Sequence, residues 1–239
     1  MQKAPKSRAA YVQWYYFLYA DGNVDQEILT TGKFLAQNVQ GKTLDCGCGP
    51  VPQLWALCMP RATEIHAIDL PKESIIFVQK KLKEKNRWWK KFTSYKEFLE
   101  EVEGKLPSNY IPQQINKLKS VQQADMTKHL PFPDKSFDTV ISLYSLGVLK
   151  NEKVLEQAIQ EIFRVLKKGG KLLHINTNGR NSNLILPEYT WQGLPQQTNL
   201  LTSLLRKKGF STIRLKTKDI GQHTAYIYNK ISLLSAIRP

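Results

Sequence analysis

Thr43-Leu44-Asp45-Cys46-Gly47-Cys48-Gly49 is the stretch on which the fold of this 239-residue chain turns. A short apolar strand runs into an acidic residue, Asp45. A turn follows, with glycines at 47 and 49 and Pro50 behind them, and a helical run, Gln53-Leu54-Trp55-Ala56-Leu57, then begins. Strand, Gly-rich turn, helix is how an α/β domain brings bare backbone N–H groups against a ligand, which a Cβ at Gly47 or Gly49 would hold away. A second strand, Glu64 to Ile68, closes on Asp69, where a carboxylate can accept from both hydroxyls of a ribose. The Gly-Lys-Ser/Thr of a triphosphate cradle is missing. So is the third glycine of a dinucleotide turn, since position 52 is Pro and 53 is Gln. The pattern favours a nucleoside-type ligand without a pyrophosphate.

Bulk properties set the frame. Hydrophobic residues make up 41% of the chain and charged residues 23%, the proportions of an ordinary soluble globule. No apolar run approaches the ~20 residues that span a bilayer. Lys3, Lys6 and Arg8 precede Tyr11 to Ala20, but that stretch is tyrosine-rich and carries Gln13, so it is not read as a secretory leader. The three cysteines, 46, 48 and 58, lack the further Cys/His pair of a tetrahedral metal site. No metal is expected, and the unpaired count fits a reducing cytoplasm. The net charge of +15 can mark a nucleic-acid footprint, yet the lysines are scattered, densest at 80–91, and are read as a solvated surface.

Short β-rich runs alternate with amphipathic stretches from residue 42 onward, which predicts a doubly wound α/β sheet. Strands are expected near 42–46, 64–69, 121–124, 138–143, 170–176, 211–217 and 225–232. Helices are expected near 24–38, 53–59, 73–88, 152–167 and 197–208. Asn151 is the expected N-cap of helix 152–167, with Lys167-Lys168-Gly169-Gly170 closing it; Lys207-Lys208-Gly209 closes the next helix the same way. Residues 218–224 are too few for a crossover helix, so the last two strands should pair antiparallel. The expected architecture is one Rossmann-like domain over 1–239. Its seven-stranded sheet is mostly parallel, ending in an antiparallel hairpin. It carries an N-terminal helical cap (1–40), an insertion before strand three (89–120) and a candidate lid (177–195) beyond the carboxyl edge of strand five. In the insertion, Ser94-x-x-Glu97 has the form of a capping box, and Pro107 and Pro112 mark a linker.

Leu130-Pro131-Phe132-Pro133-Asp134-Lys135-Ser136-Phe137-Asp138 leading into Val140-Ile141-Ser142, then Glu161-x-x-Arg164-Val165-Leu166-Lys167-x-Gly169-Gly170, resembles the class I S-adenosylmethionine-dependent methyltransferases. The likeness runs from about residue 10 to 232. A narrower resemblance is to the nicotinamide, phenylethanolamine and indolethylamine N-methyltransferases. It rests on Tyr11-x-x-x-Tyr15-Tyr16, Cys48-Gly49-Pro50, the insertion before strand three and Ala124-Asp125-Met126-Thr127. The resemblance implies S-adenosyl-L-methionine as cofactor. It implies Gly47, Cys48 and Gly49 on the methionine part, Asp69 on the ribose, Leu70 along the adenine, and Asp125 and Met126 at the adenine edge. Ser142 and Leu143 would border the methionine moiety, and Tyr11 and Tyr16 would close over the sulfonium, whose cation suits an aromatic face; packing of an N-terminal helix is the less favoured account of those tyrosines. Asp45 belongs to the same set, its carboxylate expected to hold the turn through backbone N–H groups rather than to touch the ligand.

Two departures bear on the acceptor. Gly147 stands after strand four where the resembled enzymes carry an acidic residue or His, and Asn176 stands at the end of strand five where the nicotinamide enzyme is acidic. The amine pocket therefore does not carry over. Tyr11, Tyr16 and Asn176 are the catalytic candidates, with Asn178, Tyr144, Ser145 and Tyr189 as further polar groups near the acceptor. The expected partner is a small molecule, neutral or anionic, methylated by in-line displacement that relies on proximity and desolvation. The alternative is self-reaction of the cofactor to an azetidine ring with release of methylthioadenosine. An RNA methyltransferase is the less favoured class, because Ser142-Leu143-Tyr144-Ser145 replaces the Pro-Pro-Tyr/Phe motif of base N-methylation and no Pro-Cys nucleophile is present.

Overall fold

The structure, a computed structural model, describes residues 12, 26–84, 93–149, 151–177, 194–220 and 230–239. Its elements run α1 Gln26–Asn38, β1 Gly41–Cys46, α2 Pro52–Leu57, β2 Ala62–Asp69, α3 Lys72–Lys83, α4 Thr93–Glu103, α5 Tyr110–Asn116, β3 Leu118–Gln123, β4 Phe137–Leu143, α6 Glu152–Val165, β5 Leu166–Thr177, α7 Leu194–Lys208, β6 Ser211–Asp219 and β7 Lys230–Ile237. The sheet has seven strands in the order β3-β2-β1-β4-β5-β7-β6. The first five pair in parallel, and β7 pairs antiparallel with both β5 and β6. Strand order reverses between β1 and β4, and such a reversal opens a crevice at the carboxyl ends of the strands.

Two apolar layers cover the sheet. On one face Ile28, Leu35 and Ala36 of α1 and all of α2 pack on Ile141, Leu143, Leu173 and Ile175. On the other, Leu155, Ala158, Ile159, Ile162 and Val165 of α6 pack on Val140, Leu172 and Leu234, joined by Leu201, Leu204 and Leu205 of α7. The three-to-four spacing on α6 makes a single stripe, so the helix has one way to dock.

The helix ends show which local signals hold. Asn151 caps α6, its Oδ1 accepting from the Val154 N–H at 3.0 Å. α7 closes as expected: the Gly209 N–H donates to Arg206 O, the Phe210 N–H to Leu205 O, and Phe210 is buried. α6 does not. Its cap residue Leu166 is already extended and pairs with Phe137 as the first residue of β5. Gly169, at φ +76°, instead turns the strand so that its N–H reaches Arg238 O.

Three further expectations are corrected. The insertion carries a second helix, α5, with Pro112 inside its first turn rather than in a linker, a position where no helical N–H is needed. Ser94 is the second residue of α4, not its cap. β7 reaches Ile237, five positions past the expected end, because its register with β5 runs to Lys171↔Ile237 and buries Leu233, Leu234 and Ala236; the expected start, 225–229, lies outside the described residues. β6 is exposed along nearly all its length and presents Arg214, Lys216 and Lys218 at the sheet edge, where charge blocks pairing with other chains. Part of the +15 charge therefore sits on an open strand edge.

Candidate active site

The Gly-rich turn is built from backbone exchange between β1 and β2. The N–H groups of Gly47 and Cys48 both donate to the carbonyl of Ile68, at 2.8 and 2.9 Å. Gly47 sits at φ +78°, and a methyl group on it would lie 2.3 Å from Ser145 Cβ and 3.2 Å from Met126 Cε. The bare glycine thus admits protein, Ser145 and Met126, where the sequence suggested a ligand. Gly49 is also at positive φ, +57°.

Asp45 does not hold this turn. Its carboxyl is fully buried, and neither Oδ1 nor Oδ2 has a hydrogen-bond partner among the described residues. The turn's N–H groups are taken by Ile68 O instead. Desolvation, reinforced by the negative charge of Asp69, pushes the Asp45 carboxyl up to about 8. Asp69, half-buried at the end of β2, accepts from the Leu70 N–H at 3.0 Å and also from Ser74 and the Gly49 N–H. Burial outweighs those bonds and raises it to about 6. Two carboxyls with raised affinities for protons therefore stand together at the carboxyl edge of β1 and β2.

Around them, Leu70 is 50% exposed, a bare apolar side chain beside Asp69. Asp125 commits Oδ1 to Thr127, accepting from its N–H at 2.9 Å and its hydroxyl at 2.7 Å, in the loop after β3. Cys46, Cys48 and Cys58 are buried free thiols, each raised by desolvation and held protonated, Cys58 to about 12. Among the described residues no cluster of metal ligands forms.

Behind the turn runs a chain of hydroxyls. Ser145 donates to Cys46 O at 2.5 Å, so Ser142 must be the donor in its 2.7 Å bond to Ser145. Ser142 Oγ in turn accepts from the Leu146 N–H at 3.2 Å. Ser142 is fully buried and its hydroxyl is committed to the turn; Leu143 belongs to the core. Tyr144 sits at φ +62°, an unusual conformation for a tyrosine, and its hydroxyl bonds Thr31 of α1 at 3.2 Å. That contact holds α1 over the edge of β4.

Asn176, 3% exposed, packs its amide against Gly147, where an added methyl would fall 2.5 Å from Nδ2. Both line a pocket between α6, α7 and the sheet. His174 faces the same pocket, and the sequence reading missed it. The signal was present: in the buried run Leu172–Asn176 it is an ionisable side chain in a strand covered on both faces. Tyr11, Tyr16, Asn178, Tyr189 and nearly all of the candidate lid lie outside the described residues.

The pair of acidic groups, the exposed apolar Leu70 and the strand reversal fit an adenosyl ligand, and the Asp45 oxygens have no partner among the described residues. The family model for the methyltransferase domain matches residues 44–174, more than half of the chain. This chain belongs to that family, the class I S-adenosylmethionine-dependent methyltransferases.

Relatives agree at the level of the domain. The ubiquinone/menaquinone biosynthesis C-methyltransferase UbiE of Pseudomonas aeruginosa (strain LESB58) is 38% identical over 87 residues, 35% of this chain and 32% of that protein. The match thus spans about a third of that curated relative. Phosphoethanolamine N-methyltransferase 2 of Haemonchus contortus, solved with S-adenosyl-L-methionine, superposes with a TM-score of 0.61 at 13% identity, covering 97% of this chain and 57% of that one. The [4+2]-cyclase SpnF gives 0.59 at 18% identity over 100% and 99%. At these identities the structures share the fold. No helix among the described residues is long and apolar enough to cross a membrane.

Proposed function

We propose that this methyltransferase-family protein methylates a small-molecule acceptor, with S-adenosyl-L-methionine held across the carboxyl ends of β1 and β2. The observation that carries the reading is the buried Asp45 carboxyl beside Asp69, without a hydrogen-bond partner among the described residues, whose ionised form a bound cation would favour. When bound, the cofactor supplies an activated methyl group.

The chain's own residues then bind and orient. Asp69, which accepts from the Leu70 and Gly49 N–H groups and from Ser74, can also accept ribose hydroxyls, while Leu70 covers an adenine face. Asp125, with Oδ1 spent on Thr127, has Oδ2 for the adenine amino group, and Met126 contributes its N–H. Gly47, Cys48 and Gly49 shape the wall of the methionine end. Ser142 and Leu143 stabilise that wall from behind. Tyr11 and Tyr16 are assigned to cover the sulfonium. Because the methyl group arrives activated, the protein's part is to strip water from the acceptor and align it, and no acidic side chain at positions 147 or 176 is required.

Methyl transfer to a small molecule is favoured over the narrower N-methyltransferase branch, since Gly147 and Asn176 replace its acidic acceptor contacts. A second reading, intramolecular cyclisation of the cofactor to azetidine-2-carboxylate with release of methylthioadenosine, draws on the same two positions. Incubation of the protein with S-adenosylmethionine alone, followed by mass spectrometry, separates them. Methylthioadenosine without added acceptor supports cyclisation. Adenosylhomocysteine formed only with a metabolite extract supports transfer. Calorimetry showing no binding of either adenosyl compound removes both.

A further inference from the structure

The pocket between α6, α7 and the sheet has a built polar end. His174 Nδ1 lies 3.0 Å from the carbonyl of Ser142. A carbonyl cannot donate, so Nδ1 carries the proton and Nε2 presents a lone pair. No hydrogen bond to Nε2 is found among the described residues, and the imidazole, 5% exposed, is a wall of the pocket. Asn176 and Ser232 stand beside it, Asn151, Glu152 and Thr198 add polar groups from the helix side, and seven leucines, among them Leu146, Leu155 and Leu201, supply the apolar lining. A mostly apolar chamber with a few polar groups, one of them an acceptor of fixed orientation, is the general form of a small-ligand site. Leu146, Gly147 and Asn176 place it at the carboxyl ends of β4 and β5, on the same sheet edge as Asp45 and Asp69. The hydroxyl chain of Ser142 and Ser145 connects its polar end to the Cys46 carbonyl, one residue before Gly47.

We infer that this pocket seats the acceptor, and that the acceptor is a mainly apolar molecule with a hydroxyl or N–H group donating to His174 Nε2. The inference rests on the methyl-transfer reading and deepens it by naming the substrate class. Desolvation lowers His174 to about 4, so the ring is neutral at physiological pH and accepts without competing protonation. His174 therefore selects and positions; it is not a store for the proton. A carboxylate or phosphate ligand would meet a lone pair there and be rejected.

The probes are phenol and benzene, alike in ring surface and different in one hydroxyl. Protein with 15N-labelled histidine should show the His174 Nε2 resonance moving upfield with the phenol and not with the hydrocarbon. The phenol should bind at least about fivefold more tightly, the effect of one net hydrogen bond. His174→Phe should abolish that preference. Thr198→Trp, which fills the pocket from α7 and leaves the imidazole intact, should block both probes while adenosylhomocysteine binds as before. Equal binding of the two probes, or an unmoved Nε2 resonance, overturns the inference while adenosylhomocysteine binding keeps the methyl-transfer reading standing. Selective phenol binding in a protein that takes no adenosyl ligand overturns the acceptor assignment together with that reading.

Discussion

Gly147 and Asn176 share one volume: the space a Cβ would take on the first is filled by the amide of the second, 2.5 Å from Nδ2 and 2.9 Å from Cγ. The glycine is thus fixed by its neighbour across two strand ends, not by its own backbone, whose φ is not positive. Gly147→Ala should destabilise the fold by about 1–3 kcal/mol, the usual cost of overpacking a tight site. Replacing Asn176 by Ala in the same chain frees that space. Urea unfolding of the two single variants and the double should show the double less destabilised than the sum. Strict additivity would mean that the two residues do not compete.

Arg164 ties together the two passages that carry the family resemblance. Its guanidinium donates to Phe132 O and Asp134 Oδ1 at 2.8 Å, to Leu130 O at 3.0 Å and to Glu161 Oε2 at 2.7 Å, and Glu161 also accepts from the Leu130 N–H. One side chain on α6 therefore shapes the loop leading into β4. Arg164→Ala should cost about 2–3 kcal/mol, because it leaves carbonyls and a carboxylate in need of charged donors. Arg164→Lys should recover only part of that, since an ammonium cannot reach in several fixed directions at once. Thermal unfolding of the three proteins gives the order; equal stability of Lys and Arg would deny the fork its role.

The sheet was legible because its signals are local. Alternation, the antiparallel pairing of the last two strands and the Asn151 and Gly209 caps each rest on neighbours in sequence, and each appears in the structure. What could not be read depends on which strand lies alongside. Gly47 makes room for Ser145, a residue of the next-but-two strand's exit, and Asp45 loses the turn's N–H groups to Ile68 of the neighbouring strand. The tautomer of His174 is illegible for the same reason: only the pairing of β5 with β4 shows that Ser142 fixes it.

Asp69 sits at the hinge of the proposed cofactor site and is already bonded to the Leu70 N–H, to Ser74 and to the Gly49 N–H. Asp69→Ala should weaken adenosylhomocysteine binding by about 1–3 kcal/mol, through ribose hydroxyls left without an acceptor. Calorimetric titration of the variant checks it. Unchanged affinity would place the ribose elsewhere along the edge.

Asp45 makes stability depend on pH in a direction opposite to that of an ordinary surface carboxylate. Its folded-state value of about 8 lies above the unfolded 3.8, so the folded chain holds an extra proton and stability falls as pH rises between the two. Asp69 acts in the same sense but is complete near 6. His174 acts oppositely: lowered from 6.5 to about 4, it destabilises the fold as pH falls through that interval. Between about pH 6.5 and 8 Asp45 is therefore the main contributor among these three, with a slope approaching 1.4 kcal/mol per pH unit. Wild-type melting temperature should drop across that window, and Asp45→Asn should flatten it. A cationic ligand reverses the balance by favouring the ionised carboxyl, so S-adenosylmethionine binding at pH 7 should release up to about one proton. Titrations in phosphate and in Tris measure that release as a difference in apparent enthalpy. Its absence in wild type would mean that Asp45 stays neutral beneath the bound cofactor.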